Sequence, residues 1–255
     1  MLEAKPVSTP LGAHLKLSSA TEEQIAQDEE FMKSVPYSNA VGSIMYAMTG
    51  TRLDLAYPVG IISRYMSNPI KDHWNGVKWV MRYIKGTLTT KMLFKRSSEF
   101  KITGYCDADF AADPDRRRSI TGLVFTLGGN TISWKSGLQR VVALSTTESE
   151  YMSLTEAVKE AVWLKGLLKE FGYDQKSVEI FCDSQSAIAL SKNNVHHERT
   201  KHIDVKCHYI REIIASGDID VVKISTEKNP ADIFTKTLAV SKFQTALNLL
   251  HVSPE

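Results

Sequence analysis

The sequence predicts an α/β domain with a sheet of mixed strand directions, preceded by a small, mainly helical segment. Near the stretch "FKRSSEFKITG" the hydrophobic period changes. Apolar residues recur at helical spacing before this stretch and alternate as in a strand after it. From there the predicted elements follow the order β-β-β-α-β-α-α-β-α, which is typical of an α/β layout in which strand directions are mixed.

The bulk composition is that of an ordinary globular protein. The 255 residues are 43% hydrophobic and 24% charged, and the chain is long enough to bury a full core. A formal net charge of +2 predicts that any basic binding surface is local. The three cysteines lack paired metal spacing, and their odd number argues against a disulfide framework, so a reducing compartment fits best. No signal-peptide pattern or membrane-length apolar run is present, and we expect no membrane partner.

Two segments precede the sheet. Residues 1–36 are polar, with early prolines and the acidic stretch "TEEQIAQDEE", and are predicted to form an extended or mobile lead-in. Residues 37–98 carry three short helical patterns, of which "DHWNGVKWVMRYIKGT" is the clearest. Gly86 suits the C-terminal cap of that helix. Its apolar positions recur at helical spacing: Trp74, Val77, Met81 and Ile84.

The remaining residues, 99–255, carry the strands. "FKITGYCDADF" alternates as a strand, and "SITGLVFTL" and "TISWKS" follow it. The intervening Gly128-Gly129-Asn130 suits a hairpin turn. The predicted elements beyond it are a long helix over about 145–170, a strand over 178–183, a short helix, a helix near 201–215, the strand "DIDVVKIS" and a last helix from Pro230.

Two Cys-Asp pairs lie in predicted strands. Strand alternation puts Cys106 and Asp107 on opposite faces, and the same holds for Cys182 and Asp183. If the two strands are neighbours, both aspartates can point outward at one end of the sheet, with the cysteines as small core residues on the other face. Taken alone, an aspartate at a strand end is more often a cap or a turn residue.

The long helix offers two glutamates with different explanations. Ser145 followed by Glu148 forms a capping box, which accounts for Glu148. Glu150 has no such explanation, because it heads an apolar stripe that should lie on the sheet. A carboxylate there is unfavourable to bury unless a partner such as a metal ion compensates its charge. The stripe below Glu150 consists of Leu154, Ala157, Ala161, Leu164 and Leu168.

A fourth carboxylate lies in "EKNPADIFTK". Asn229 suits the N-cap of a helix and Pro230 its first position, so Asp232 falls in the first turn. An acidic residue favoured by the helix dipole explains Asp232 equally well. If all four carboxylates converge, however, they repel one another unless divalent cations are present. Mg²⁺ prefers such hard oxygen ligands, and two ions about 4 Å apart can drive phosphodiester hydrolysis.

Several motifs carry a family resemblance. "GYCDADFAADPDRRRSITGLVF", "ISWKS", "ALSTTESEY", "CDSQSAIALSKN", "RTKHIDVKCHYIRE" and "NPADIFTK" together resemble the ribonuclease H domain that closes the Pol polyprotein of copia-type retrotransposons, close to plant Tnt-type elements. Upstream, "KPVSTPL", "VPYSNAVGSIMYAMTGTRLDLAYPVG" and "HWNGVKWVMRYIKGT" resemble the thumb and connection segment that ends the reverse transcriptase. The resemblance covers essentially the whole chain.

The resemblance implies a ribonuclease H-like fold, a mixed five-stranded sheet with flanking helices. It implies an endoribonuclease that cuts the RNA strand of RNA–DNA hybrids during reverse transcription with two Mg²⁺ ions, for which Mn²⁺ can substitute. Residue by residue, the metal-binding and catalytic positions fall on Asp107, Glu150 rather than Glu148, Asp183 and Asp232. The alternative is a non-catalytic nucleic-acid-binding fragment of a decayed element.

The resemblance also implies partners and a setting. No Tyr-x-Asp-Asp polymerase motif occurs in this chain, so the palm and fingers of the reverse transcriptase are expected upstream. The implied location is the cytoplasm, within a virus-like particle, with the nucleus as an alternative. "HHERTKH", at 196–202, fits no common zinc spacing, and the role of His202 does not follow from the pattern.

Two basic clusters are candidates for nucleic-acid binding. Lys71, Lys78, Arg82 and Lys85 share one face of the helix near 72–85. A solvated face is the ordinary interpretation, whereas in a thumb Lys78, Arg82 and Lys85 would follow the phosphates of a duplex. The loop "DPDRRRS" is either solvated or contacts phosphates near the site. Its three arginines are Arg116, Arg117 and Arg118.

Overall fold

The N-terminal third of the chain is helical. The computed structural model describes residues 1, 3–97, 99–192 and 204–253, with side chains described outside 204–209. None of the described helices is both long and apolar enough to span a membrane. The first four helices are α1 (Glu22–Lys33), α2 (Tyr37–Gly50), α3 (Ala56–Ile62) and α4 (Lys71–Gly86).

Helix α1 corrects the prediction that residues 1–36 are extended or mobile. The Thr21 hydroxyl accepts a hydrogen bond from the Gln24 N–H, and the Gln24 side chain accepts one from the Thr21 N–H. This capping box is joined by acidic residues in the first turn and Lys33 in the last, which suit the helix dipole. No residue of α1 is buried. The polar composition on which the prediction relied fits a capped helix with no fully buried residue equally well.

The rest of the lead-in lies against α4. The Trp79 indole N–H donates to the Thr9 carbonyl at 2.9 Å, and the Tyr65 hydroxyl donates to the Leu17 carbonyl at 2.9 Å. Leu17 itself is buried, and a Cβ added to Gly76 would lie 2.9 Å from its side chain. The lead-in thus contacts α4 at Gly76 and Trp79, and it contacts Tyr65 just before that helix. For that reason its fully buried positions differ from the predicted stripe, of which Val77 alone is fully buried.

The second part of the chain forms the predicted mixed sheet. In the five-stranded sheet of order β4-β3-β2-β5-β6, β2 is antiparallel to β3 and parallel to β5, and β6 runs parallel to β5. The expected α/β class with flanking helices is confirmed. The strands are β1 (Lys91–Met92), β2 (Ile102–Asp109), β3 (Ile120–Leu127), β4 (Asn130–Leu138), β5 (Val178–Cys182), β6 (Ile219–Lys223) and β7 (Val252–Ser253), and the helices are α5 (Thr146–Glu170), α6 (Gln185–Lys192), α7 (Asp204–Ala215) and α8 (Val240–Leu249).

The β3–β4 hairpin has the predicted turn. Gly128 and Gly129 join the strands with φ values of 56° and 82°. Two consecutive positive φ angles are what a tight two-residue hairpin turn requires, and glycine adopts them without a Cβ clash.

Helices cover the sheet on both faces. On one face α5 and α6 pack against Cys106, Cys182 and their neighbours. On the other, the core formed by the N-terminal helices and α8 includes Ile120 and Val124 of β3. The N-terminal helices thus contact the sheet directly, which explains why β3 is buried along almost its whole length.

The predicted last helix from Pro230 is divided. Residues Pro230–Phe234 form a short 3₁₀ helix, and α8 begins only at Val240. The 3₁₀ helix is pressed against β3 at Gly122, where an added Cβ would lie 2.9 Å from the Ala231 carbonyl oxygen and 2.7 Å from the Thr235 side chain. The Thr235 hydroxyl also donates to the Asp232 carbonyl at 3.1 Å. These contacts hold a short, tight turn where the sequence pattern allowed a longer helix.

Candidate metal centre

Two of the predicted carboxylates lie on adjacent parallel strands. Asp107 is in β2, and Asp183 directly follows β5. The register places Cys106 opposite Cys182, so the two aspartates stand at the same level of the sheet. Both cysteines are fully buried against α5, as the alternation predicts. The predicted juxtaposition of the two strands is confirmed.

Asp232 joins this pair from the 3₁₀ helix. Carboxylate oxygens of Asp107, Asp183 and Asp232 all lie within 4.8 Å of one another. Asn229 positions the turn in two ways: its side-chain oxygen accepts from the Ala231 N–H at 3.1 Å, and its amide donates to the Cys106 carbonyl at 2.9 Å. The N-cap residue therefore ties the turn to β2 one residue before Asp107.

Glu150 lies beside this group rather than within it. Its carboxylate, the Cys182 sulfur and an Asp183 oxygen lie within 4.8 Å of one another, so Asp183 belongs to both groups. The Glu150 Oε2 atom is buried and accepts no hydrogen bond from the described residues. Burial, with the negative charges of Asp107 and Asp183, raises the pKa of Glu150 to about 9. Without a cation, this carboxyl is mostly protonated at neutral pH.

Glu148 takes part in capping the helix, but its carboxylate accepts from Leu144, whereas the predicted capping box would use the N–H of the N-cap residue Ser145. The Ser145 hydroxyl accepts from the Glu148 N–H at 3.2 Å, and the Glu148 carboxylate accepts from the Leu144 N–H at 2.7 Å. The carboxylate thus accepts a hydrogen bond from the backbone N–H of the residue before the N-cap. This role gives Glu148 a structural explanation that Glu150 lacks.

Asp107 has two polar partners inside the protein. The Thr235 hydroxyl donates to its Oδ2 atom, and the Lys236 ammonium lies 3.4 Å from the same oxygen. Burial raises the pKa of Asp107 to about 6, against the opposing effect of Lys236. The carboxyl is thereby oriented before any ion binds.

Two lysines also lie at the site, and no sequence pattern used above predicted them. Lys236 lies 3.1 Å from the Asp232 Oδ1 atom, and Lys242 lies 2.5 Å from its Oδ2 atom. Burial alone would lower the pKa of Lys236, but Asp107 and Asp232 outweigh it and raise that pKa. The spacing of four residues from Asp232 could have indicated Lys236. Lys242 is ten residues from Asp232 and carries no local signal.

The donor set fits a divalent cation. All four carboxylates offer hard oxygen ligands, the kind that Mg²⁺ and Mn²⁺ prefer. The buried Oε2 atom of Glu150 lacks a hydrogen-bond donor among the described residues, whereas the Asp232 Oδ1 atom has the Lys236 ammonium 3.1 Å away. Buried carboxylate oxygens without donors are unfavourable, and a bound cation would remove that penalty.

The predicted basic face of α4 is engaged by the lead-in. The Arg82 side chain donates to the Lys5 carbonyl at 2.6 Å and stacks on the Trp79 ring, and Lys85 donates to the Ala4 carbonyl at 2.9 Å. Lys71, at the start of the helix, pairs with Asp28. Binding of phosphates by Lys78, Arg82 and Lys85 stays a prediction.

The arginine loop is anchored by the N-terminal part. Asp113 pairs with Arg64 at 3.2 Å, and Asp115 accepts from the Ser19 N–H at 2.8 Å and from the Tyr65 hydroxyl at 3.3 Å. The loop follows the end of β2, the strand that carries Asp107. Its outward side carries the arginines, of which Arg116 and Arg117 are exposed and Arg118 is half-buried.

The segment 196–202, including His202, lies outside the described residues. The two groups of candidate metal ligands found in the described part of the chain are the ones given above.

Similarity to known proteins places the chain in a family. No protein-family model matches it. It is 51% identical over 250 residues, 98% of its length, to the retrovirus-related Pol polyprotein from transposon TNT 1-94 of Nicotiana tabacum, and 38% identical over 96% of its length to that from transposon RE2 of Arabidopsis thaliana. These alignments span 19% and 16% of the two relatives.

Among solved structures, an RNase H1 isolated from compost (LC11) aligns with 53% of this chain and 93% of that one, at 23% identity and a TM-score of 0.42. The sequence relatives carry the family assignment. The chain belongs to the copia-type retrotransposon Pol polyproteins. It spans less than a fifth of the length of each of the two relatives.

Proposed function

We propose that this chain is the ribonuclease H part of a retrotransposon Pol polyprotein and hydrolyses the RNA strand of RNA–DNA hybrids. The observation that carries the proposal is the convergence of Asp107, Asp183 and Asp232 oxygens within 4.8 Å, with Glu150 beside Asp183. A site of hard oxygens that includes a buried Glu150 oxygen without a donor in the described chain suits metal-assisted hydrolysis better than a structural role.

The four carboxylates would hold two divalent ions, Mg²⁺ with Mn²⁺ as a substitute. Bound there, such ions supply Lewis acidity for activating water and for offsetting the charge on the phosphate. The chain itself supplies the geometry: Asn229 fixes the turn that carries Asp232, Thr235 orients the Asp107 carboxylate, and the buried Cys182 lies beside Glu150 and Asp183. Cleavage is expected to leave 5′-phosphate and 3′-hydroxyl ends.

Substrate choice would come from the shape of the hybrid and from its 2′-hydroxyls rather than from base sequence. Arg116, Arg117 and Arg118 are the proposed phosphate contacts beside the site, because Asp113 and Asp115 anchor their loop to the N-terminal part. Lys78, Arg82 and Lys85 are the proposed contacts farther along the duplex.

The setting follows from the family. We propose that residues 1–36 are a lead-in, 37–98 the end of the reverse transcriptase and 99–255 the ribonuclease H-like domain. The palm and fingers of the same polyprotein are the proposed upstream partners. The proposed location is the cytoplasm, inside a virus-like particle, with the nucleus as an alternative.

A gel assay tests the proposal. Labelled RNA–DNA hybrid, double-stranded RNA and double-stranded DNA are incubated with the chain and Mg²⁺, alongside an Asp183→Asn variant. We expect cleavage of the RNA in the hybrid alone, and none by the variant. Binding of the hybrid without cleavage would instead support a non-catalytic fragment, and cleavage of double-stranded DNA would point to a different nuclease.

A further inference from the structure

Lys236 lies among the candidate metal ligands and has no role in the function proposed above. We propose that Lys236 is an internal counter-ion, which holds Asp107 and Asp232 together in the metal-free chain and is displaced when a divalent cation binds. The inference rests on the proposed function, because it takes these carboxylates as metal ligands.

The contacts of Lys236 make it a bridge. Its ammonium lies 3.1 Å from the Asp232 Oδ1 atom and 3.4 Å from the Asp107 Oδ2 atom. Both carboxylates are almost completely buried, at 0% and 1% exposure. Two buried negative charges this close repel each other strongly unless a positive charge lies between them. In the metal-free chain, the lysine supplies that charge.

A bridging ammonium and a bound cation compete for the same oxygens. Divalent ions bind carboxylate oxygens at about 2.1 Å, well inside the distances that Lys236 keeps. A cation bound to both Asp107 and Asp232 would therefore lie close to the Lys236 ammonium, and the two positive charges would repel each other. The Lys236 side chain is 32% exposed and has a flexible stem, so its ammonium can withdraw into solvent.

Lys242 provides a matched comparison within the same site. Its side chain is 34% exposed, nearly the same as that of Lys236, and it also pairs with Asp232. The Lys242 ammonium lies 2.5 Å from the Asp232 Oδ2 atom, whereas Lys236 pairs with Oδ1. Among the described residues, the ion pair of Lys242 is with Asp232. Lys242 therefore contacts one candidate ligand, whereas Lys236 spans two.

Calorimetric titration with Mg²⁺ alone, without nucleic acid, tests the inference. The chains compared are the wild type, Lys236→Met, Lys236→Arg and Lys242→Met. Removing the competing charge should tighten Mg²⁺ binding by about tenfold in Lys236→Met, on the scale of one partly buried charge pair. Lys236→Arg keeps the charge and should stay close to the wild type, and Lys242→Met, which removes a contact with Asp232 alone, should tighten binding less than Lys236→Met does. Unchanged or weaker binding by Lys236→Met overturns the inference.

Thermal unfolding gives a second, independent readout. In EDTA, Lys236→Met should melt below the wild type, because Asp107 and Asp232 lose their shared counter-ion. With saturating Mg²⁺ the gap should close, since a ligand that binds the native state stabilises it in proportion to its affinity. A variant that melts equally far below the wild type in both conditions, or that folds in neither, shows a purely structural lysine and overturns the inference.

The two proposals fail in different ways. If the wild type binds no Mg²⁺ that depends on Asp183, as an Asp183→Asn chain would reveal, the proposed function fails and the counter-ion role with it. If Mg²⁺ binds and the hybrid is cut, but Lys236→Met leaves the affinity unchanged, the counter-ion role alone is wrong.

Discussion

At the scale of single residues, Glu148 and Glu150 lie two positions apart on α5 and have different surroundings. Glu148 accepts a backbone hydrogen bond near the N-cap, whereas Glu150 has a buried oxygen without a donor in the described chain. We predict that Glu150→Gln abolishes cleavage of the hybrid. Glu148→Gln should fold and cut, with a loss of about 1 kcal/mol in the free energy of unfolding, as for other capping residues. Parallel cleavage assays and urea unfolding check both, and a dead Glu148→Gln with an active Glu150→Gln would reverse the assignment.

The raised pKa of Glu150 predicts a pH dependence for the metal-free chain. Its carboxyl ionises near pH 4.5 in the unfolded state and near 9 in the folded one. The folded state therefore holds the proton more tightly, so the stability from this group is greatest below about pH 4.5 and is lost as the pH rises to about 9. In EDTA, the melting temperature of the wild type should fall across this window. Glu150→Gln should flatten the fall, and an equally steep profile for this variant would contradict the assignment of the effect to Glu150.

At the scale of elements, the 3₁₀ helix Pro230–Phe234 brings Asp232 to the two strand ends because Gly122 lets it approach β3. We predict that Gly122→Ala displaces this turn, weakens Mg²⁺ binding and costs about 1–3 kcal/mol of stability, the usual penalty of overpacking. Gly137→Ala, in the next strand, is the control, since an added Cβ there meets nothing within 4 Å. Titration with Mg²⁺ and urea unfolding measure both effects. Equal behaviour of the two variants would show that the close approach at Gly122 is not needed.

The same turn shows how far sequence patterns carry at this scale. The period-two alternation located β2 and β5 and their aspartates, and the Asn-Pro pair located the cap before Asp232. The length of the turn escaped prediction because it depends on a contact with β3 more than 100 residues away. The role of Lys236 was not predicted for a related reason. Its charge was visible in "NPADIFTK", but its place between two buried carboxylates depends on how β2 and the turn meet. Helix α1 was not predicted because its capping residues, rather than an apolar stripe, indicate the helix.

At the scale of the whole molecule, the N-terminal part and the sheet share a core. Residues of α2, α3 and α4 pack in one cluster with Ile120, Val124 and Phe234, and the loop that carries Arg116–Arg118 is anchored by Arg64 and Tyr65. The sequence predicted the two parts and the change of period between them. It could not predict this packing, because each contact joins segments that are about 50 or more residues apart and have no shared pattern.

This packing shapes a prediction for nucleic-acid binding. Each phosphate contact that is lost should flatten the dependence of log affinity on log salt by about 0.9 for B-form DNA, and a hybrid should behave similarly. Changing Lys78, Arg82 and Lys85 together to alanine should therefore reduce the slope by up to about three units, weaken binding at all sequences alike, and leave turnover at saturating hybrid nearly unchanged. The candidate metal-binding carboxylates remain intact in this variant.

The control addresses the lead-in, which Arg82 and Lys85 also hold through the Lys5 and Ala4 carbonyls. Trp79→Phe removes the hydrogen bond to the Thr9 carbonyl and so loosens the same contact without changing any charge. Its salt slope should equal that of the wild type. If the triple variant also keeps the wild-type slope, the basic face of α4 binds the lead-in rather than phosphates. If turnover at saturation collapses instead, the N-terminal part shapes the active site through the shared core.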